Sequence, residues 1–164
     1  MKLDHYDLVE AVKRYYGSKQ GYFIATEVDT PFPGIGRVDV VGFCISGTRP
    51  IIRCFECETE IRDIAKIRGK FTQLKKIATH VYLVVPRYVY DANLDKIVNN
   101  IILDGFGTLS VNENGNLSEN NESKIFNPEM KWNELLNKLI DKYPQSSGNI
   151  ARAFKKFCEY FGLL

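Results

Sequence analysis

The sequence predicts an α/β fold, with a mixed central sheet flanked by helices and a helical hairpin at its C-terminal end. Three observations carry that prediction. Three β-rich segments joined by short turns occupy residues 22–58, the pattern of an antiparallel meander. A helical pattern then leads into the unbroken apolar run Val81–Val85, which suits a strand buried on both faces and reached through a crossover. From Pro128 the pattern changes to two amphipathic helices. The expected organisation is an α/β core over 1–127 and a hairpin over 128–164 packed on it.

Each element follows from local chemistry. Asp4 can cap a helix running to about Tyr16, with Leu8, Val12 and Tyr15 at helical spacing and Gly17 past its end. Strands are expected at Tyr22–Val28, Arg37–Ile45 and Ile51–Glu58, separated by Asp29-Thr-Pro-Phe-Pro-Gly34 and Ser46-Gly-Thr-Arg-Pro50. A helix is expected over Ile61–Ala78, its apolar stripe formed by Ile64, Ile67, Phe71, Leu74 and Ala78. A second amphipathic helix is expected over Asn93–Leu103 and a strand over Gly107–Val111, with Asn114-Gly115 marking a hairpin turn. The C-terminal helices are read at Glu129–Lys142 and Asn149–Phe161, split by Pro144-Gln-Ser-Ser-Gly148.

Composition narrows the function classes. The 164 residues are 45% apolar and 26% charged, enough to bury a core without disulfide staples. With 22 basic and 20 acidic residues the net charge is only +2, so any basic face must come from local clustering. No apolar run is long enough for a membrane helix, and the charged start lacks the pattern of a secretory signal. Four cysteines without an export signal then point to free thiols in a reducing, cytoplasmic setting.

The informative residues are Gly36-Arg-Val-Asp39 followed by Phe55-Glu-Cys-Glu58. Along a strand, Ile52, Cys54, Glu56 and Glu58 share one face, while Arg53, Phe55 and Cys57 share the other. Asp39 lies on the neighbouring strand among apolar residues, a costly place for a carboxylate unless it meets water, a partner or a metal. Carboxylates gathered there raise one another's pKa, and a divalent cation relieves the repulsion. Oxygen ligands of this kind favour Mg²⁺ or Mn²⁺ over zinc. Glu27, on the adjoining strand, can complete the acidic cluster.

This arrangement resembles the PD-(D/E)XK phosphodiesterase superfamily, which includes many restriction endonucleases and the archaeal Holliday junction resolvases. The match spans about Tyr22–Val85, with the preceding helix in the expected place. The resemblance implies a restriction-endonuclease-like core and a Mg²⁺- or Mn²⁺-dependent endodeoxyribonuclease. Asp39 falls on the family's metal-binding Asp, Glu56 on its (D/E) ligand, and the Cys57 carbonyl on its backbone ligand. Glu58 falls where the family usually carries its catalytic Lys. Glu cannot supply positive charge, but it can bind metal or act as a base. Some restriction endonucleases of the superfamily carry the same E-x-E.

A cation can instead come from the following helix. Arg62, Lys66, Lys70 and Gln73 fall within about 80° of one another on a wheel. Lys70 and Gln73 are therefore catalytic candidates, and Arg62, Lys66 and Lys70 are candidates for phosphate contact. Glu60–Lys76 holds six basic and two acidic residues, enough for a local nucleic-acid footprint. DNA is the expected partner, and cutting both strands of a duplex or junction favours a C2 homodimer. The competing reading is a catalytically degenerate module on the same fold that binds nucleic acid or a protein.

Other residues carry less. Cys54 and Cys57 face opposite ways on a strand, which disfavours zinc, and Cys44 reads as a core thiol. His5 and His80 read as surface or packing histidines. Glu10, the acidic candidate on the first helix, points nearly opposite that helix's apolar face.

Overall fold

The structure is a computed structural model, and it describes residues 2–19, 22–29, 34–46 and 49–129. The predicted C-terminal helices lie outside the described residues, as do parts of the turns after Asp29 and Ser46. The fold is α/β: one six-stranded mixed sheet, in the order β1-β2-β3-β4-β5-β6, with helices on both faces. Strands β1 (Phe23–Asp29), β2 (Arg37–Ser46) and β3 (Arg49–Cys57) form the expected antiparallel meander. Helix α2 (Ile64–Leu74) then crosses over to β4 (His80–Pro86), which pairs parallel to β3. β5 (Gly107–Val111) pairs parallel to β4, and β6 (Leu117–Asn121) closes a hairpin with β5 through Asn114-Gly115.

Helix α1 (His5–Gly17) begins in a capping box: the Asp4 side chain accepts from the Asp7 N–H while the Asp7 side chain accepts from the Asp4 N–H. Its Leu8, Val12 and Tyr16 pack with Val40, Phe55 and Val84 on one face of the sheet. The opposite face carries Ile52, Cys54, Val81 and Leu83 under Phe71 and Leu74 of α2. β4 is buried along its whole length, as its unbroken apolar run requires.

Two helices depart from expectation. α2 is shorter than Ile61–Ala78, because Asp63 caps it by accepting from the Lys66 N–H and Lys75 ends it. The single helix expected at Asn93–Leu103 is instead α3 (Arg87–Ala92), α4 (Leu94–Ile97) and a π-helical segment, Val98–Ile102. Pro86 starts this run earlier, since its fixed φ suits a position at a helix entrance. The run divides at Asn93, whose backbone leaves helical geometry (φ −123°, ψ 23°) while its side chain donates to the Val89 carbonyl at 2.8 Å.

β5 reaches β4 only because Gly107 has no side chain. A Cβ there would lie 2.4 Å from the Tyr82 ring and 2.8 Å from the Ser123 backbone nitrogen. Tyr82 cannot yield freely, being buried and stacked on Phe55 with centroids 5.3 Å apart. Gly107→Ala is expected to destabilise the fold by about 1–3 kcal/mol, checked by urea denaturation.

Candidate active site

The site forms where β1, β2 and β3 leave the sheet on the side of α2. Ile52 and Cys54 belong to the core beneath α2, and Phe55 and Cys57 to the core beneath α1, so the alternation read along β3 holds. It also separates the two cysteines. Glu56 follows Cys54 onto the α2 side. Glu58 lies just beyond the strand, its N–H held by the Val84 carbonyl at 2.9 Å.

On β1 and β2 the alternation slips at the site itself. Ala25 and Val28 share one core cluster, as do Val38 and Val41, although residues three apart should face opposite ways. The residues between them are Glu27 and Asp39. Glu27 has φ +52°, a left-handed conformation that costs a non-glycine residue about 1–3 kcal/mol. The paired irregularity brings both carboxylates to one edge. Asp39 Oδ2 accepts from the Cys57 N–H at 2.8 Å, which ties β2 to the end of β3.

Lys70 comes from α2, between buried residues of its own helix and the strands. Its Nζ lies 2.9 Å from Glu56 Oε1 and donates to the Arg37 carbonyl at 2.5 Å. The ammonium has three N–H donors, and beside its bond to Arg37 it pairs with Glu56 Oε1. Oε1 is buried, with the Lys70 ammonium as its charged partner. The Glu56 side chain is only 5% exposed. Burial, and then the neighbouring Asp39 charge, push its carboxyl up to about 8, against the opposing pull of Lys70. Burial and Asp39 also raise the Glu58 carboxyl, which Lys70, His5 and Lys66 pull the other way. Burial raises both the Cys54 and Cys57 thiols, so neither is poised as a thiolate.

These groups open on a cleft of about 530 Å³ between the end of β3 and α2. Its walls carry four carboxylates, Glu56, Glu58, Glu60 and Asp63, against three cations, Arg62, Lys66 and Lys70. Arg62 is held by Glu60 at 2.8 Å, and Arg37, beside the site, by Asp29 at 3.2 Å. The structure thus gathers Asp39, Glu56, Glu58, Arg62, Lys66 and Lys70 about one cleft and its rim. Gln73 is half-buried further along α2 and does not line the cleft.

His5 is the residue sequence reasoning missed. It is the first residue of α1, and its Nε2 lies 3.3 Å from Glu27 Oε1 and 3.6 Å from Asp39 Oδ1. His5 is exposed, as expected of a surface histidine, and its ring faces these two carboxylates. His80 does pack: it is buried, stacks on Tyr82, and is held down to about 4 by burial and by Arg53. Glu10 pairs with Lys13 at 3.0 Å on its own helix.

The donor set fits a divalent cation. The Glu56 and Glu58 carboxyls, each raised first by burial and then by Asp39, and Asp39 itself all gain from added positive charge. Among the described residues, no helix is long and apolar enough to cross a membrane.

No protein-family model and no curated protein matches the sequence. A solved structure of a protein of unknown function from Silicibacter pomeroyi is similar, with a TM-score of 0.58 at 16% identity, covering 90% of this chain and 98% of that one. At that identity the similarity is one of fold alone.

Proposed function

We propose that this protein is a metal-dependent nuclease that hydrolyses phosphodiester bonds in DNA, on a restriction-endonuclease-like core. The observation that carries the reading is Lys70. The strand motif has Glu58 where a lysine is usual, and α2 supplies an ammonium 2.9 Å from Glu56 instead. The order of elements, a helix, an antiparallel meander, a crossover helix and a parallel strand, supports the same reading.

Asp39, Glu56 and the Cys57 carbonyl would hold Mg²⁺ or Mn²⁺, with Glu58 and Glu27 at its flanks. The bound cation supplies polarisation of the phosphate and a more acidic water. Glu58, half-buried with its carboxyl raised by burial and by Asp39, accepts the proton of the attacking water. Lys70 orients Glu56 and balances charge at the phosphate. Arg62 and Lys66 line the outer cleft and contact neighbouring phosphates. The protein works as an intracellular C2 homodimer, one site per strand.

A second reading is a degenerate module of the same fold. The excess of carboxylates over cations in the cleft favours it, because without a bound cation those carboxylates oppose the approach of a phosphate. Incubating supercoiled plasmid and a four-way junction with Mg²⁺ or Mn²⁺ separates the two. Wild-type protein is expected to cleave and Asp39→Ala to leave both substrates intact. An inactive wild type with an active Glu58→Lys would establish the degenerate reading. Inactivity of all three together with no DNA binding would leave only a protein-binding role.

A further inference from the structure

Beyond β6 the chain runs back along the end of α2 and the start of β4. The Val81 N–H donates to Ser123 Oγ at 3.1 Å, the Phe126 N–H to the Thr79 carbonyl at 2.8 Å and the Glu129 N–H to the Lys76 carbonyl at 3.1 Å. The same segment meets the end of the π-helical run. There the Lys124 N–H donates to the Gly105 carbonyl at 2.7 Å, and the Phe126 and Phe106 rings lie 5.4 Å apart. Ile125 stands within this contact and Leu103 two residues before it. They are 54% and 72% exposed, more than any other leucine or isoleucine among the described residues. Ile102 and Phe126 beside them are only partly buried. A single exposed leucine needs no partner, but two such residues on neighbouring segments, rimmed by half-buried ones, make a contiguous apolar surface. Its backbone is fixed, because Arg68 of α2 holds Asp104 at 2.6 Å.

We propose that this patch is the docking surface for the chain's own C-terminal segment, covered by the apolar stripe of residues 132–140. Residues 130–164, outside the described residues, continue from Glu129 where it is held against Lys76. In them Trp132, Leu135, Leu136, Leu139 and Ile140 recur at helical spacing, which puts one apolar stripe on the helix expected over Glu129–Lys142. A helix of that length is marginal alone in water and needs a surface for its stripe. It spans about 20 Å, whereas Ile125 lies at most about 14 Å of chain from Glu129, so the stripe can return over the patch. No residue of the cleft takes part, so the docking stands apart from the nuclease reading.

Trp132 is the chain's single tryptophan, so its fluorescence in the full chain reads the docking directly. Wild type is expected to emit to the blue of an exposed indole and to resist iodide quenching, and to do so equally on dilution. Leu103→Glu combined with Ile125→Glu should shift the emission to the red and raise the quenching constant severalfold, because carboxylates then oppose the stripe. Leu94→Glu, at an exposed leucine on α4 outside the patch, should change neither. Both patch residues are more than half exposed, so the double variant should keep the circular dichroism and melting of the core. If it melts early, Leu103→Gln and Ile125→Gln, made singly, carry the same reading. An exposed emission in wild type overturns the inference. A blue emission that the patch variants leave unchanged also overturns it, and means that the C-terminal segment packs elsewhere or on itself. A blue emission lost on dilution, in step with dimer dissociation in sedimentation, gives the patch to a second copy and overturns it as well.

Discussion

Asp39→Asn is expected to lower DNA cleavage by about a thousandfold or more while leaving the fold intact, the several kcal/mol that charge stabilisation by a bound metal contributes at a phosphate. Asparagine keeps the shape and can still accept from the Cys57 N–H through Oδ1, so the tie between β2 and β3 survives. What disappears is the charge toward which His5 and Glu27 converge, and the charge that raises Glu56 and Glu58. Removing a like charge beside two partly buried carboxyls should leave thermal stability unchanged or slightly higher without metal. Cleavage rates, Mn²⁺ affinity and melting temperature, measured on one preparation, check this. Full activity in a well-folded Asp39→Asn would remove Asp39 from the chemistry. A collapse in melting temperature would make it a structural residue.

The parts of this molecule legible in its sequence are those whose signal is local. β3 and its two faces follow from the alternation of Ile52, Cys54 and Glu56 against Arg53, Phe55 and Cys57, and the structure keeps it. β5 stands at Gly107–Val111, with the Asn114-Gly115 turn after it. Lys70 could be nominated because its helix phase relative to Phe71 and Leu74 is fixed by periodicity. The stretch 87–103 was less legible. The non-helical backbone of Asn93 and a π-helical segment interrupt a pattern that apolar spacing alone joins into one helix. His5 gives no local signal at all. It stands on a helix and its partners Glu27 and Asp39 on two strands, and they meet it where the pleat slips at both residues. Gln73 shows the converse: a wheel places it near Lys70, but a wheel cannot say where along the helix the cleft ends.

Glu56 sets the second large expectation, a fall in the stability of metal-free protein as pH rises. Its carboxyl is pushed up to about 8 in the folded chain from an ordinary value of 4.5, first by burial and then by Asp39. The folded state therefore holds this proton more tightly than the unfolded state does. The resulting stabilisation is complete below about pH 4.5 and is lost as pH climbs through about 8, since the unfolded chain releases the proton first. The loss is on the order of a few kcal/mol, moderated by the Lys70 ammonium at 2.9 Å. Glu58, raised in the same direction, adds to the slope. Glu56→Gln removes the ionisation but keeps the volume, and Lys70, a third exposed and bonded to the Arg37 carbonyl, can remain charged without its partner. The variant should therefore be more stable than wild type near pH 8.5, with the gap closing toward pH 5. Saturating Mn²⁺ or Mg²⁺ should flatten or reverse the wild-type trend, because a cation binds the deprotonated carboxylate and takes the place of its proton. Melting temperatures of both proteins across this range, with chelator and with metal, decide it. Parallel curves in chelator would mean that the Lys70 ammonium keeps Glu56 ionised throughout.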